Sequence, residues 1–345
     1  MAKKQIRFGT LNLQNLQLAG EKMYAKNAPY TQAEYARKIA WLAQTVTRLD
    51  ADVLAFQELW SAQCLVDVFK EAGLDGDYEL LTASPVGKVG KGIAVALAVR
   101  STCKAKKPTW IRDFPDEFVL KKRKSSGQPD YQMNVDIGHF SRPVLRCSVE
   151  PPDGDPILVF VAHMKSMLAM PLDKQEAAKP AVKKQSSAIG SVLSTVRRTA
   201  EAGALRVLLN KAMKDNDVPV VVMGDLNDSP DSVTLQILTG DPSYRFFSKS
   251  TAGQKSDAGL YSTGWLQDLR SFRDVVYTYV HEGRHGSLDH ILVSEQFSDY
   301  SKKRQWSFRD LRVLNDHLDE RSTTELARVY SDHGGLAATF DYYPA

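Results

Sequence analysis

An acidic cluster follows an apolar run in the second half of the chain, at residues 219–230 (PVVVMGDLNDSP). The first five of these residues contain no polar break, which is typical of a strand buried on both faces, and Asp225 and Asn227 follow shortly after it. A carboxylate at the end of a buried strand is costly as an isolated charge, and a metal ion, a proton or a cation stabilises it. Asp225 is therefore a candidate catalytic group. A simple turn, with Ser229 capping the next helix and Pro230 at its first position, remains an alternative reading of the stretch.

Polar side chains also lie at the ends of other short apolar segments. One such residue is weak evidence, because a lone histidine or aspartate is usually a hydrogen-bonded structural residue. Loops at one edge of a packed sheet converge in space, however, so residues far apart in the sequence can form one pocket there. The sequence predicts such a pocket from Asn12 after Ile6–Leu11, Glu58 after Asp52–Phe56, His163 after Ile157–Ala162, Asp289 within Leu288–Val293, and Asp332 and His333 before Leu336–Tyr342.

Two helices and a strand pair are predicted in the first third of the chain. Thr31 and Glu34 form a capping-box pattern ahead of apolar residues at helical spacing. Ser61 is expected to open a second helix. The segments Tyr78–Thr82 and Ile93–Val99 are predicted to be paired strands joined by a glycine-rich turn.

The remaining long segments are predicted to be helical or irregular. Residues 174–216 have helical character, and breaks are expected at Pro180 and Gly203. Trp110–Asp136 is predicted to be an inserted loop or hairpin, and Tyr244–Asp268 a surface loop. The residues assigned to apolar helix faces in 174–216 are Ile189, Val192, Val196, Leu205, Leu208, Leu209 and Met213.

Composition limits the class of protein. The chain has 345 residues, of which 43% are hydrophobic, and three widely spaced cysteines, which fits reduced thiols better than a disulfide framework. No apolar run is long enough to span a bilayer, so a cytoplasmic protein with no membrane partner is expected. The net charge is only +4, but lysines and arginines are clustered, which would suit a polyanionic substrate. No composition break or internal repeat divides the chain, so a single domain over residues 1–345 is predicted.

Six sequence blocks, TLNLQNL, DVLAFQELW, VFVAHMKS, VVVMGDLND, SLDHILVS and YSDHGG, together resemble the endonuclease/exonuclease/phosphatase superfamily of metal-dependent phosphoesterases. They occur in the order of that superfamily and cover the chain from Ile6 to about Phe340. The resemblance implies an α/β fold of the DNase I type, a four-layer αββα sandwich of two packed, mainly antiparallel sheets flanked by helices. Inserted loops are then expected near 110–136, 166–205 and 240–270.

The resemblance also implies a metal site. Glu58 matches the main metal ligand of the superfamily, and Asn12 and Asp332 match positions that line or complete the site. Mg²⁺, or Mn²⁺, fits this donor set, because a hard cation prefers oxygen ligands and keeps waters for a substrate phosphate.

Other matched positions imply groups that act on the phosphate and the attacking water. Asp225 matches the carboxylate that orients or deprotonates the water, and Asn227 matches an amide that holds a phosphate oxygen. His333 matches the histidine that contacts the scissile phosphate, with Asp289 fixing its tautomer. The further phosphate-side positions are His163, Arg142 and Lys165.

Two departures and one further similarity narrow the resemblance. Gln14 stands where abasic-site nucleases carry an acid, and Leu59 and Trp60 replace the Thr-Lys that follows their glutamate, so abasic-site repair fits poorly. Lys165, two residues after His163, is similar to a group of bacterial nuclease-like members.

The leading hypothesis is a divalent-metal-dependent phosphodiesterase, most specifically a nuclease that attacks phosphorus with water in one in-line step. Nucleic acid is the expected substrate, and no obligate protein partner is evident. One alternative is a phosphatase or phosphodiesterase for a small-molecule or lipid phosphate ester. A second is a catalytically silent module that binds nucleic acid.

Overall fold

The computed structural model describes residues 4–24, 27–83, 92–120, 135–242, 244, 258–271, 277–281, 283–318 and 324–343. The strands in chain order are β1 (Gln5–Leu16), β2 (Val53–Leu59), β3 (Tyr78–Thr82), β4 (Ala94–Arg100), β5 (Lys104–Asp113), β6 (His139–Glu150), β7 (Ile157–His163), β8 (Val220–Asp225), β9 (Tyr261–Ser262), β10 (Tyr279–His281), β11 (Arg284–Gly286), β12 (Asp289–Val293), β13 (Trp306–Leu314) and β14 (Gly335–Tyr342). The α-helices are α1 (Gln32–Leu49), α2 (Ala62–Glu71), α3 (Lys174–Ala178), α4 (Pro180–Lys183), α5 (Ser186–Met213), α6 (Val233–Thr239), α7 (Thr263–Asp268) and α8 (Thr324–Val329).

Two six-stranded sheets form the centre of the molecule, in the orders β13-β14-β1-β2-β4-β3 and β5-β6-β7-β8-β12-β9. Neighbouring strands are antiparallel except for the parallel pairs β1–β2 and β7–β8. Strands β10 and β11 form a separate two-stranded hairpin. The prediction of two mainly antiparallel sheets is confirmed.

Apolar side chains from both sheets fill the space between them, including those of Phe8, Val159 and Phe340. On the outer face of the first sheet, α1 and α2 bury residues such as Leu42 and Leu65. On the outer face of the second sheet, α5 and α6 bury residues such as Leu205 and Leu235. Helix, sheet, sheet and helix therefore form the four layers that the sequence predicted.

The first helix begins where its capping box predicts. The hydroxyl of Thr31 accepts the backbone N–H of Glu34, and the Glu34 carboxylate accepts the backbone N–H of Thr31. Ser61 likewise precedes α2 directly. These local signals are reliable because they satisfy backbone donors that the first helical turn leaves unpaired.

Two helix boundaries differ from the prediction. Helix α6 begins at Val233 with Ser232 as its N-cap, so Ser229 and Pro230 lie in the preceding turn and do not start the helix. Gly203 lies inside the continuous helix α5 and is not a break. A Cβ at Gly203 would lie 2.8 Å from Cε2 of Phe118, so the glycine makes room for this ring.

Helix α5 changes its buried face near Arg198. Its C-terminal half buries Leu205, Leu209 and Met213 against the second sheet, as predicted. In its N-terminal half the apolar face exists but is exposed to solvent, as Val192 shows with 61% exposure. The predicted apolar positions Ile189 and Val196 are also exposed there.

Two of the strands missed in the sequence are β5 and β13, both at sheet edges. The predicted loop from Trp110 therefore begins inside β5, and residues 121–134 of that prediction lie outside the described part of the chain. The predicted surface loop Tyr244–Asp268 contains β9 and α7, and Tyr261 is only 2% exposed. No helix among the described residues is long and apolar enough to cross a membrane.

Candidate active site

Three neighbouring strands of the second sheet carry His163, Asp225 and Asp289 side by side. In the parallel pair β7–β8, His163 is opposite Asp225, and in the antiparallel pair β8–β12, Asp289 is opposite Asp225. All three residues are buried. Strand register therefore brings these three predicted site residues together.

Asp225 is the centre of this group. Its Oδ1 accepts the backbone N–H of Asn227 at 2.9 Å, and its Oδ2 accepts Nδ2 of Asn12 at 3.0 Å. Nε2 of His163 lies 3.4 Å from the same Oδ2, and Nε2 of His333 lies 3.9 Å from it. The carboxylate therefore has fixed partners on both oxygens.

The glycine before Asp225 permits this arrangement. Gly224 has φ of 142°, and a Cβ at this position would lie only 1.9 Å from the carbonyl oxygen of Ala162. Because that oxygen belongs to backbone, no rotamer change could relieve the clash. Glycine is thus required where β8 passes closest to β7.

The first sheet contributes Asn12 and Glu58. Asn12 lies inside β1 at an irregularity in its pairing with β2, so the prediction that it follows the end of the strand is wrong. Its Nδ2 lies 3.4 Å from Oε1 of Glu58, whose Oε2 accepts the backbone N–H of Asn15 at 2.8 Å. Gln14, Asn15 and Glu58 have φ values of 49°, 52° and 63°, so this part of the site is built on left-handed backbone.

His333 is held by a carboxylate behind it. Its Nδ1 is 2.8 Å from Oδ2 of Asp289, and its backbone N–H donates to the hydroxyl of Ser331 at 3.1 Å. Ser331 in turn donates to the backbone carbonyl of Asn12 at 2.7 Å, which ties the His333 loop to β1. On the other side, the Thr278 hydroxyl accepts the backbone N–H of Asp289 at 3.2 Å.

The two histidines beside Asp225 are in different protonation states. Burial would lower the pKa of His333, but the carboxylates of Asp289 and Asp225 raise it well above its ordinary value. Burial lowers the pKa of His163 well below its ordinary value, and Arg142 and His333 lower it further. His333 is therefore a cation at neutral pH and His163 is neutral.

Burial also raises the pKa of Asp225, to about 7. The charge of His333 opposes this shift, whereas Asp289 and Glu58 add to it. Burial and the neighbouring Asp332 raise the pKa of Glu58 as well. Burial is thus the main reason that both carboxyl groups keep their protons to a higher pH than usual.

The predicted cations Arg142 and Lys165 border the same pocket. Nη1 of Arg142 donates to the carbonyl oxygen of Met164 at 2.9 Å, and Nδ2 of Asn227 donates to that oxygen at 3.1 Å. The ammonium of Lys165 lies within 3.3 Å of acceptors on Ser166 and Leu168, so it must reorient before it can contact a phosphate.

A sequence model of the Endonuclease/Exonuclease/phosphatase family matches residues 9–333 of the chain. The chain belongs to this family. As a family member it is a phosphoester hydrolase of a class that depends on divalent metal ions. No curated protein matches the chain.

Solved structures of the same fold have low sequence identity to this family member. An endonuclease/exonuclease/phosphatase family protein from Bacteroides thetaiotaomicron has 15% identity and a TM-score of 0.57, with 99% of this chain and 100% of that chain covered. A mannosyl-6-phosphatase of the same organism has 15% identity and a TM-score of 0.56, with 97% and 99% covered. TDP2 of D. rerio, complexed with a single strand DNA product, has 16% identity and a TM-score of 0.54, with 98% and 99% covered.

Three residues of the site in this family member were missed in the sequence. The ring of Tyr279 lies 5.2 Å from that of His333, and Tyr24 interacts with Arg142 and Glu58. Glu201, buried in α5, accepts the backbone N–H groups of both Ser141 and Lys165 at 2.8 Å. Only Glu201 left a sequence signal, because it follows Arg197 by one helical turn and the two form an ion pair of 3.3 Å.

The donor groups of this family member fit a divalent cation. Oδ1 of Asp289 is buried and has no hydrogen-bond partner among the described residues. One oxygen or ring nitrogen from each of Asp225, Asp289 and His333 lies within 4.8 Å of the others. Glu58 and Asp332 add two more carboxylates, and burial together with the charge of Asp332 raises the pKa of Glu58. Hard oxygen donors are what Mg²⁺ or Mn²⁺ prefers.

Proposed function

We propose that this chain is a divalent-metal-dependent phosphodiesterase that hydrolyses nucleic-acid phosphodiester bonds. The observation that carries the proposal is the position of Asp225, whose Oδ2 lies 3.4 Å from the neutral His163 and 3.9 Å from the cationic His333. A proton acceptor and a cationic donor are thus adjacent at a buried site, as hydrolysis of a phosphate ester requires.

We propose that Glu58, Asn12 and Asp332 would hold the metal, which when bound would act as a Lewis acid on the phosphate oxygens. His333 is engaged with Asp289 and positively charged, which makes it a poor ligand. Asn12 has a second task, because its Nδ2 donates to Asp225 and contacts Glu58. It thereby fixes the position of the Asp225 carboxylate relative to Glu58.

Asp225 orients the attacking water and accepts its proton. Its pKa of about 7 suits a general base at neutral pH, and the backbone N–H of Asn227 holds its second oxygen in place. His333 donates a hydrogen bond from Nε2 to a phosphate oxygen, while Asp289 keeps Nδ1 protonated. Arg142 and the second N–H of the Asn227 amide supply further contacts to the phosphate.

The surface beside His333 supports a nucleic-acid substrate. The hairpin β10–β11 carries His281, Arg284 and His285, all exposed, and its Tyr279 borders His333. Basic groups attract the phosphodiester backbone and aromatic rings stack on bases.

We also propose that residues 1–345 form one domain. The first and last described strands, β1 and β14, pair over Gln5–Thr10 and Leu336–Asp341, so both ends of the chain build the same sheet. No unit can be cut from either end without opening that sheet.

A substrate panel tests the function. Single-stranded DNA, duplex DNA, RNA, a chromogenic phosphodiester and a sugar phosphate are incubated with the protein, with Mg²⁺, with Mn²⁺ and with chelator. We expect metal-dependent cleavage of at least one nucleic acid. Turnover of the sugar phosphate alone would assign the chain to the phosphatases, and stoichiometric binding without turnover in either metal would make it a silent binding module.

A further inference from the structure

Helix α5 buries its small and polar residues in its N-terminal half and exposes its aliphatic ones. Gly190 and Ser194 are buried there, whereas Ile189, Val192 and Val196 are exposed. The helix packs against the preceding loop through the small residues: a Cβ at Gly190 would lie 2.4 Å from the carbonyl oxygen of Met170. This burial is the reverse of an ordinary amphipathic helix, in which the apolar stripe faces the protein.

The exposed stripe belongs to a longer apolar surface. Residues 165–198, here termed the amphipathic segment, contain six of the fifteen exposed large hydrophobic side chains in the described part of the chain, although they are about one tenth of its length. Leu168 is 78% exposed, and its carbonyl accepts the Ser194 hydroxyl, which places it against α5. Helices α3 and α4, within the segment, bury no side chain. The six side chains are Met167, Leu168, Ile189, Val192, Leu193 and Val196.

The same segment carries the positive charge of the protein. It has seven lysines and arginines against one aspartate and one glutamate, but Arg197 and Arg198 pair with Glu201 and Asp228 outside it. The five lysines against the two acids leave a charge of +3, whereas the whole chain carries +4. The rest of the molecule is thus close to neutral. Four exposed lysines, at positions 174, 179, 183 and 184, lie between the two groups of exposed aliphatic side chains, at 167–168 and 189–196. Lysines next to exposed aliphatic side chains are typical of segments that lie in the headgroup region of an anionic bilayer.

We propose that the amphipathic segment is a docking surface for an anionic phospholipid bilayer. Nucleic acid is a poorer match, because the segment contains no aromatic residue to stack on a base and its aliphatic side chains gain nothing from a phosphate backbone. A second copy of the chain is also a poorer match, because a two-fold interface would bring two segments of charge +3 together. This proposal departs from the sequence-based expectation of no membrane partner, which rested on the lack of a spanning segment.

The surface adjoins the active site. The segment begins two residues after His163, and Nη1 of Arg198 donates to the carbonyl of Lys165 at 3.4 Å while its Nε pairs with Asp228 at 2.9 Å. A bilayer bound here would hold the pocket beside the headgroups. Membrane binding is independent of which phosphoester is hydrolysed.

Vesicle co-sedimentation of the full chain in chelator tests the proposal without any turnover. We expect partition onto vesicles of phosphatidylcholine with phosphatidylglycerol, and much weaker partition onto phosphatidylcholine alone. The double variant Leu168→Gln/Val192→Gln should lower the partition coefficient at least about tenfold. Lys183→Gln/Lys184→Gln should lower it about fivefold for each charge removed. The matched control is Val233→Gln on α6, a helix residue that is 68% exposed and should bind as the wild type does.

Three outcomes would overturn the proposal. The first is the absence of wild-type partition onto the anionic vesicles at low salt. The second is a loss that depends on Lys183 and Lys184 but not on Leu168 and Val192, with duplex DNA competing for binding, which would assign the surface to nucleic acid. The third is a dimer in light scattering that Leu168→Gln dissociates, which would assign it to self-association.

Discussion

His163 and His333 lie 3.4 and 3.9 Å from the same oxygen of Asp225, yet their surroundings leave His163 neutral and make His333 a cation. His333 has a buried carboxylate, Asp289, at 2.8 Å from Nδ1. Nδ1 of His163 is buried without a hydrogen-bond partner in the described structure, and the cations around the residue further disfavour its protonation. The group that each imidazole meets on its far side therefore decides whether it can act as a cationic donor.

Asp225 lies next to both histidines, so its replacement should have the largest effect on activity. Asp225→Asn keeps the contact with Asn12 possible but cannot accept a proton from water, and kcat should fall on the order of a hundredfold or more. Steady-state kinetics at saturating metal measures this, with the exposed Asp231→Asn as the control. Full activity in Asp225→Asn would remove this residue from the mechanism.

Replacing each histidine in turn separates the contribution of the cationic imidazole from that of the neutral one. His333→Gln removes the cationic donor and should lower kcat/KM on the order of a hundredfold, whereas His163→Gln removes a neutral group and should cost about tenfold. Asp289→Asn should resemble His333→Gln, because the imidazole loses the carboxylate that keeps it charged. Equal losses for His333→Gln and His163→Gln would contradict the asymmetry.

Metal binding should depend on Glu58 far more than on His333. Glu58→Gln removes one anionic oxygen donor and should weaken Mn²⁺ binding roughly tenfold or more, with activity partly restored at high metal concentration. His333→Gln should bind Mn²⁺ nearly as the wild type does. Calorimetric titration with Mn²⁺ compares the two, and a larger loss in His333→Gln would move the metal to the Asp225, Asp289 and His333 group.

The protonation states of His163 and His333 can be measured directly, without comparing the reaction rates of variants. In the metal-free protein, we expect His333 to keep its second ring proton to a higher pH than free histidine does, and His163 to lose its proton at a lower pH. NMR spectra of ¹⁵N-labelled imidazoles, assigned with the two glutamine variants, follow both rings across the neutral range. Parallel titration of the two rings would mean that Asp289 does not set the charge of His333.

Residue order in the sequence predicted the sheets and the layers. It did so because buried strands require uninterrupted apolar runs, and helix starts require capping groups such as Thr31. Strand register could not be predicted in this way. His163 and Asp289 both lie opposite Asp225 because strands far apart in the chain pair with each other. No local pattern encodes them.

The missed strands have a physical reason as well. β5 (KAKKPTWIRD) is an edge strand, where lysines and proline prevent pairing with other molecules. The same residues are typical of loops, so the sequence did not indicate a strand. In β13 a register shift between Phe308 and Asp310 breaks the alternation of apolar and polar residues. The exposed stripe of α5 was predicted as an apolar face, but periodicity alone does not say whether protein or solvent meets that face.

The left-handed backbone at the pocket has a consequence for engineering. Of the eight non-glycine residues with positive φ in the described structure, four are Gln14, Asn15, Glu58 and Asn227. Each is held at a cost of about 1 kcal/mol that glycine would not incur. Selection for heat resistance alone would therefore favour glycine at Glu58 and Asn227, and the resulting well-folded proteins would lack a metal-side carboxylate and a phosphate-side amide.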